Sequence, residues 1–187
     1  MKSAARITVA LAGLAVATRL AACGGDPFTP RWNENADTVV IYSLARPEIN
    51  LASAFDFAGR QPVEVQAPGA TGSWDVALDT RDGQLVLLPP GALSIESDAG
   101  IARVGGAAFA EVEEAPRDTA AFVRDQPVPV ETGTVYVVRT RLTRSTFRLC
   151  NRYAKFEPLS VSPGTGSLTF VFDTNPLCDD RRLVPPD

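Results

Sequence analysis

Histidine is absent from all 187 residues, and the single methionine is Met1. The chain therefore lacks the side chain that titrates near neutral pH and the commonest metal ligand, and bis-histidine or methionine ligation of haem iron is excluded. G-x-S-x-G, a P-loop and CxxC are missing as well, and Gly164-Thr165-Gly166 has no lysine to reach a phosphate. No enzymatic activity is expected. Two carboxylates can work as acid and base without histidine, but Asp75 and Asp79 share a strand face that reads as solvated. Asp79 to Asp82 with Gly83 is too sparse in ligands for a calcium loop and reads as a turn. No metal is expected. Long apolar runs are also scarce: one lies near the start, shorter than the roughly 20 residues needed to span a bilayer.

That run, Ile7 to Ala17, follows Lys2 and Arg6 and leads to Leu20-Ala21-Ala22-Cys23. The layout is that of a cleaved secretory signal closing on a lipobox. The Cys23 thiol can take a diacylglyceryl group before cleavage makes it the new amino terminus, and Arg19 is the one departure from the pattern. An ordinary secretion signal with a chance cysteine is the alternative. The chain divides into a signal over 1–22, a proline-broken tether over 23–36, one β domain over 37–180 and a loose tail over 181–187. Removing the signal leaves 165 residues, enough to bury on the order of 70% of the unfolded surface. Because the signal holds Lys2, Arg6 and Arg19 and no acid, the net charge moves from −4 to −7. An acidic mature chain argues against nucleic acid as a partner. The expected partner is the membrane, through the two or three acyl chains of lipoprotein processing. Gly24, not aspartate, follows the cysteine; by resemblance to general lipoprotein sorting, this favours the outer membrane, facing the periplasm or the surface.

From Asp37 onward the apolar residues come in short runs punctuated by Gly, Pro, Asn and Asp, which predicts an all-β fold. A predominantly antiparallel sheet is expected, sandwich-like or an open barrel, with at most one short helix around Arg117 to Asp125. Predicted strands are Thr38–Ser43, Leu51–Phe57, Pro62–Val65, Ser73–Asp79, Gln84–Leu88, Ala92–Glu96, Ala107–Val112, Thr134–Leu142, Tyr153–Val161 and Ser167–Asp173. Alternation places Trp74, Val76 and Leu78 on a core face and turns Asp56, Asp75 and Asp79 outward. Arg81-Asp82-Gly83 predicts a hairpin, Gln126 to Val130 an extended linker.

With one cysteine assigned to lipid, Cys150 and Cys178 remain. Pro163 to Gly166 reads as the tip of a terminal hairpin. With Ser162 facing Ser167, Cys150 faces position 179, one residue from Cys178. A disulfide is expected in an oxidising compartment, two free thiols being the alternative.

The most polarised stretch is Arg139, Arg141, Arg144, Arg148, Arg152 and Lys155, with no acid among them. Guanidinium forks at Arg139, Arg141 and Arg148, with the phenol of Tyr153, form a candidate site for an anionic ligand such as a porphyrin propionate, an anionic sugar, a lipid phosphate or an acidic partner such as an envelope protein. The competing reading pairs these arginines with Glu111, Glu113, Glu114 and Asp118, or leaves them to solvate an edge. Trp74 reads as core, and Trp32 stays undecided.

Ser73-Trp74-Asp75-Val76-Ala77-Leu78 resembles a segment of the HmuY-like family of bacterial surface lipoproteins. Ala54-Phe55-Asp56-Phe57-Ala58-Gly59 before it is similar to that family's strand ending in a glycine turn. Gly105-Gly106-Ala107-Ala108-Phe109, the Val112 to Asp125 segment with its Phe122-x-x-Asp125, and Val135 to Thr140, Tyr153 to Phe156 and Gly166 to Phe170 follow in the family's order. The likeness runs from Ala52 to Phe172. It implies an all-β fold and, for some members, capture of haem outside the cell. Those members use histidine or methionine as axial ligands, so no haem-ligand position carries over. Tyr42, Tyr136, Tyr153, Lys155 or a reduced cysteine would be what is left to haem. No resident cofactor is expected.

Overall fold

A computed structural model describes residues 32–145 and 148–186. The signal over 1–22, Cys23 and the tether up to residue 31 lie outside the described residues. The strands in chain order are β1 (Asp37–Tyr42), β2 (Ala54–Asp56), β3 (Gln61–Val63), β4 (Val76–Arg81), β5 (Gln84–Leu88), β6 (Gly100–Gly105), β7 (Val128–Pro129), β8 (Thr134–Arg139), β9 (Thr143–Arg144), β10 (Leu149–Cys150), β11 (Tyr153–Ser162) and β12 (Ser167–Thr174). One five-stranded sheet runs β1-β12-β11-β8-β6 and a second runs β3-β2-β4-β5-β7, while β9 and β10 form a separate arm. All pairings are antiparallel. Among the described residues no sheet closes into a barrel, and the all-β reading holds.

The two sheets stack because each strand presents an apolar side to the other sheet. Ile41, Tyr136, Val138, Phe156, Phe170 and Phe172 of the first sheet meet Phe55, Phe57, Val76, Leu78 and Leu87 of the second. Phe55, Phe57, Phe156, Phe170, Phe172 and Tyr136 touch edge-on or stacked, with Tyr136 and Phe156 5.0 Å apart. The outer faces are partly covered too. Phe109, Val112, Ala115, Phe122 and Leu183 lie over β6, β8 and β11, and Trp74 with residues 92–95 lies over the second sheet.

Several sequence expectations need correction. Ala92–Glu96 is no strand: Pro89 and Pro90 fix φ and remove donors, and Pro90–Leu93 forms a 3-10 turn. Ala107–Val112 likewise holds a 3-10 turn, Phe109–Glu111, because Gly106 at φ 77 turns the chain over the outer face. The strand of this region is the unpredicted β6. The short helix expected near Arg117 reduces to the turn Thr119–Ala121, capped by Asp118, whose side chain accepts from the Ala120 N–H. The linker contributes β7, an edge position where Pro129 forfeits no ladder bond. The segment read as a tail meets Glu114 through Arg182 and buries Leu183, whose N–H donates to Glu113 O at 2.7 Å.

Two turns match their sequence signals. Asp82 and Gly83 both take positive φ, 52 and 76, the geometry of a two-residue hairpin. Ser162 faces Ser167 as expected. A bulge at Leu159 then shifts the ladder by one, so Phe156 faces Phe172 and Ala154 faces Thr174. Continued outward, the shifted register sets Cys150 against Cys178. The two are bonded, with Cα atoms 5.5 Å apart.

Candidate functional site

The polar groups gather at one end of the sandwich, where β1 and β11 begin and β2, β8 and β12 finish. Asp56 closes β2, Asp75 precedes β4, and Arg141 leaves β8. Arg141 grips Asp56 in a bidentate fork, Nη1 to Oδ1 at 2.9 Å and Nη2 to Oδ2 at 3.0 Å, and Nη1 also donates to Asp75 Oδ1 at 3.1 Å. The backbone N–H groups of Arg141 and Phe57 donate to the two oxygens of Asp75, each at 2.8 Å. Gly59 N–H donates to Asp56 at 2.9 Å, and a Cβ at 59 would stand 2.5 Å from that carboxylate, so only glycine fits.

Asp75 is fully buried and Asp56 nearly so. Burial pushes the Asp75 carboxyl up to about 6, with Asp56 adding to it while Arg141 and the two amides pull it down. Both acids were expected to face outward. Asp56 does keep the alternation, with Phe55 and Phe57 in the inter-sheet core and Ala54 on the outer face, but the Arg141 fork covers it. Asp75 departs from it because β4 starts only at Val76 and the chain bends at Ser73 to Asp75. The same bend puts Trp74 on the outer face of its sheet, opposite Val76 and Leu78.

A second pair stands beside the first. Arg60 Nη1 bonds Asp173 at 3.1 Å, its Nη2 bonds Asn35 O, and its guanidinium lies 4.7 Å from the Phe172 ring centroid. Asn35 N–H also donates to Asp173, tying the incoming chain to the end of β12. On the outer face, Lys155 is 1% exposed and donates to the carbonyls of Phe109 and Val112 at 2.8 and 2.9 Å. Burial lowers its pKa. The charge sits 4.7 Å from the Phe109 ring centroid, which pins the covering segment to β11.

The sequence-predicted ligand residues do not surround one cavity. Arg139 donates to Asn151 at 2.7 Å and lines a depression of about 750 Å³ with Phe122, Arg124 and Glu96. Arg141 is held by Asp56 and Asp75, and Arg148 pairs with Asp179 at 3.3 Å. Tyr153 packs against Phe122 on the covered outer face. The expected pairing of these arginines with residues 111–118 is not what forms: Glu114 pairs with Arg181, and Asp118 caps a turn. Tyr136 donates to Pro129 O and accepts from Glu131 N–H.

Asp56, Asp75, Arg60 and Asp173 were missed as site residues, and Lys155, placed in the basic stretch, was not foreseen as buried. The signal was there: Asp56 lies between two phenylalanines, Asp75 follows a tryptophan, and Lys155 sits between Ala154 and Phe156. An ionisable residue inside an apolar run is a buried residue awaiting a partner. Among the described residues, no group of three or more acids and cysteines is placed to hold a metal ion. The arrangement is a charged lock between sheets, with the disulfide and the β9–β10 arm beside it. No family model and no curated protein matches the chain.

Proposed function

We propose that the chain is an envelope lipoprotein of the HmuY-like kind, held at a bacterial outer membrane by acyl chains on Cys23. Its β domain acts by contact with another surface and carries no haem. One observation carries this reading: the residues suited to an anionic ligand line no common cavity, Arg141 being held by Asp56 and Asp75 while Arg139, Arg148 and Tyr153 lie apart from it and from one another. The aromatic rings support it, since Phe55, Phe57, Phe156, Phe170 and Tyr136 pack on one another in the core. The signal and lipobox of the first 23 residues support the anchor.

Haemin titration tests the absence of haem capture. No Soret shift at micromolar haemin is expected, and a stoichiometric shift would overturn it. For the anchor, a Cys23→Ser protein is expected to leave the membrane fraction. A second reading, capture of an amphipathic anion beside Arg139, is favoured by that residue's buried Nε, which has no partner. It requires an anion whose binding is lost in Arg139→Ala.

A further inference from the structure

We propose that the β9–β10 arm is a membrane-contact element that rests on an anionic phospholipid surface. The inference builds on the Cys23 anchor proposed above. Across the ladder Leu149 faces Arg144, which places an apolar and a cationic side chain side by side on one face of the arm. Leu149 is 58% exposed and Leu142, at the arm's base, 46%. On a chain with a net charge of −4, positive charge is concentrated here. Arg139 and Arg152 at the base donate to neutral oxygens, Asn151 Oδ1 and Ala58 O, and form no ion pair among the described residues. Arg148 on the opposite face has only an exposed partner, Asp179, and a pair of that kind is weak. Exposed leucine beside arginine is the composition that settles at a lipid headgroup boundary.

The position of the arm selects the membrane over other anionic surfaces. The described chain comes in at the same end of the sandwich: Asn35 bonds Asp173, Asp37 faces Phe172, and β12 leads on to Cys178, bonded to Cys150 in the arm. Residues 23–31 precede Trp32. Even fully extended, nine residues reach roughly 30 Å. An acylated Cys23 therefore keeps this end, and with it the arm, close to the bilayer. The other end, with Ile49 65% exposed, points its apolar residue away from the anchor.

The test uses the processed mature protein carrying Leu149→Trp, mixed with phosphatidylcholine vesicles with or without roughly one third phosphatidylglycerol. Trp32 and Trp74 are buried, which leaves residue 149 as the reporter of a change in surroundings. The expected result is a blue shift of emission on the anionic vesicles only. It should fade between about 0.1 and 1 M salt, as the screening length falls from about 10 to 3 Å. Adding Arg144→Glu should remove the shift without changing the melting temperature, and Ile49→Trp should give none. No shift on anionic vesicles, or an equal shift at 49, overturns the proposal and leaves the arm to a protein partner. Flotation reports the anchor separately: a protein that floats with neutral vesicles but shows no shift is acylated with an idle arm. One that floats only with anionic vesicles has a working arm and no acyl chain.

Discussion

The two ends of the sandwich are closed by different physics. At the end where the chain comes in, side chains from distant parts of the sequence bind one another: Arg141 joins residues 85 and 66 positions away, and Arg60 one 113 away. At the opposite end the chain reverses locally, through Asp82-Gly83 and through Pro163 to Gly166, with glycines at positive φ. The long-range end holds the two sheets together, because Arg141 follows a strand of one sheet and both its carboxylates belong to the other. The turn end sets register within each sheet and is tied across the sheets by neutral bonds such as Leu44 N–H to Leu78 O at 2.9 Å and Thr80 Oγ1 to Ser43 Oγ at 2.8 Å. Losing a lock should therefore threaten the fold, and losing a turn should only loosen a hairpin.

Arg141→Ala is the strongest test of that contrast. Leaving Asp56 and Asp75 buried without their cation is expected to cost about 3–5 kcal/mol in denaturant unfolding. Replacing all three, as Asp56→Asn, Asp75→Asn and Arg141→Met, should recover much of the loss. Opening the disulfide with Cys150→Ser and Cys178→Ser comes next. A separation of 28 residues corresponds to roughly 3–4 kcal/mol in the chain-entropy model.

The pH dependence is smaller and has a defined sign. Asp75 binds its proton more tightly in the folded protein, with a value of about 6 against an ordinary 3.8. Its contribution is thus fully favourable at low pH and is lost as pH rises through that window, roughly 2–3 kcal/mol in all. Thermal melts should show stability rising on acidification from pH 7 toward 5, and Asp75→Asn should flatten the slope. Gly83→Ala, at φ 76, should cost only about 1 kcal/mol. If it cost as much as Arg141→Ala, the contrast between the ends would fail.

The same contrast explains what could be read from sequence. Asp82-Gly83 and Pro163 to Gly166 are local signals, carried by residues that favour turns wherever they occur, and both hairpins were legible. The all-β class followed from the short alternating runs. The Asp56–Arg141–Asp75 lock was not legible, since it depends on which strand ends meet, and no spacing rule encodes that. Alternation gave the face of Asp56 correctly but not the arginine that covers it, and it misplaced Asp75. It failed at Ser73 to Asp75, where the chain is bent and has not yet entered the ladder. β6 was passed over because glycines bound it and Arg103 interrupts its apolar run. The arginine-rich stretch stood out by composition, but its partners did not.

The unpaired residue at 159 gives β11 one residue more than the span it crosses, an expansion joint between a tip that keeps its own turn and sulfurs that keep their own alignment. A one-residue change in the length of the tip can be absorbed there without moving the staple that holds the arm. The far hairpin is thus free to vary while the disulfide-bonded end stays fixed.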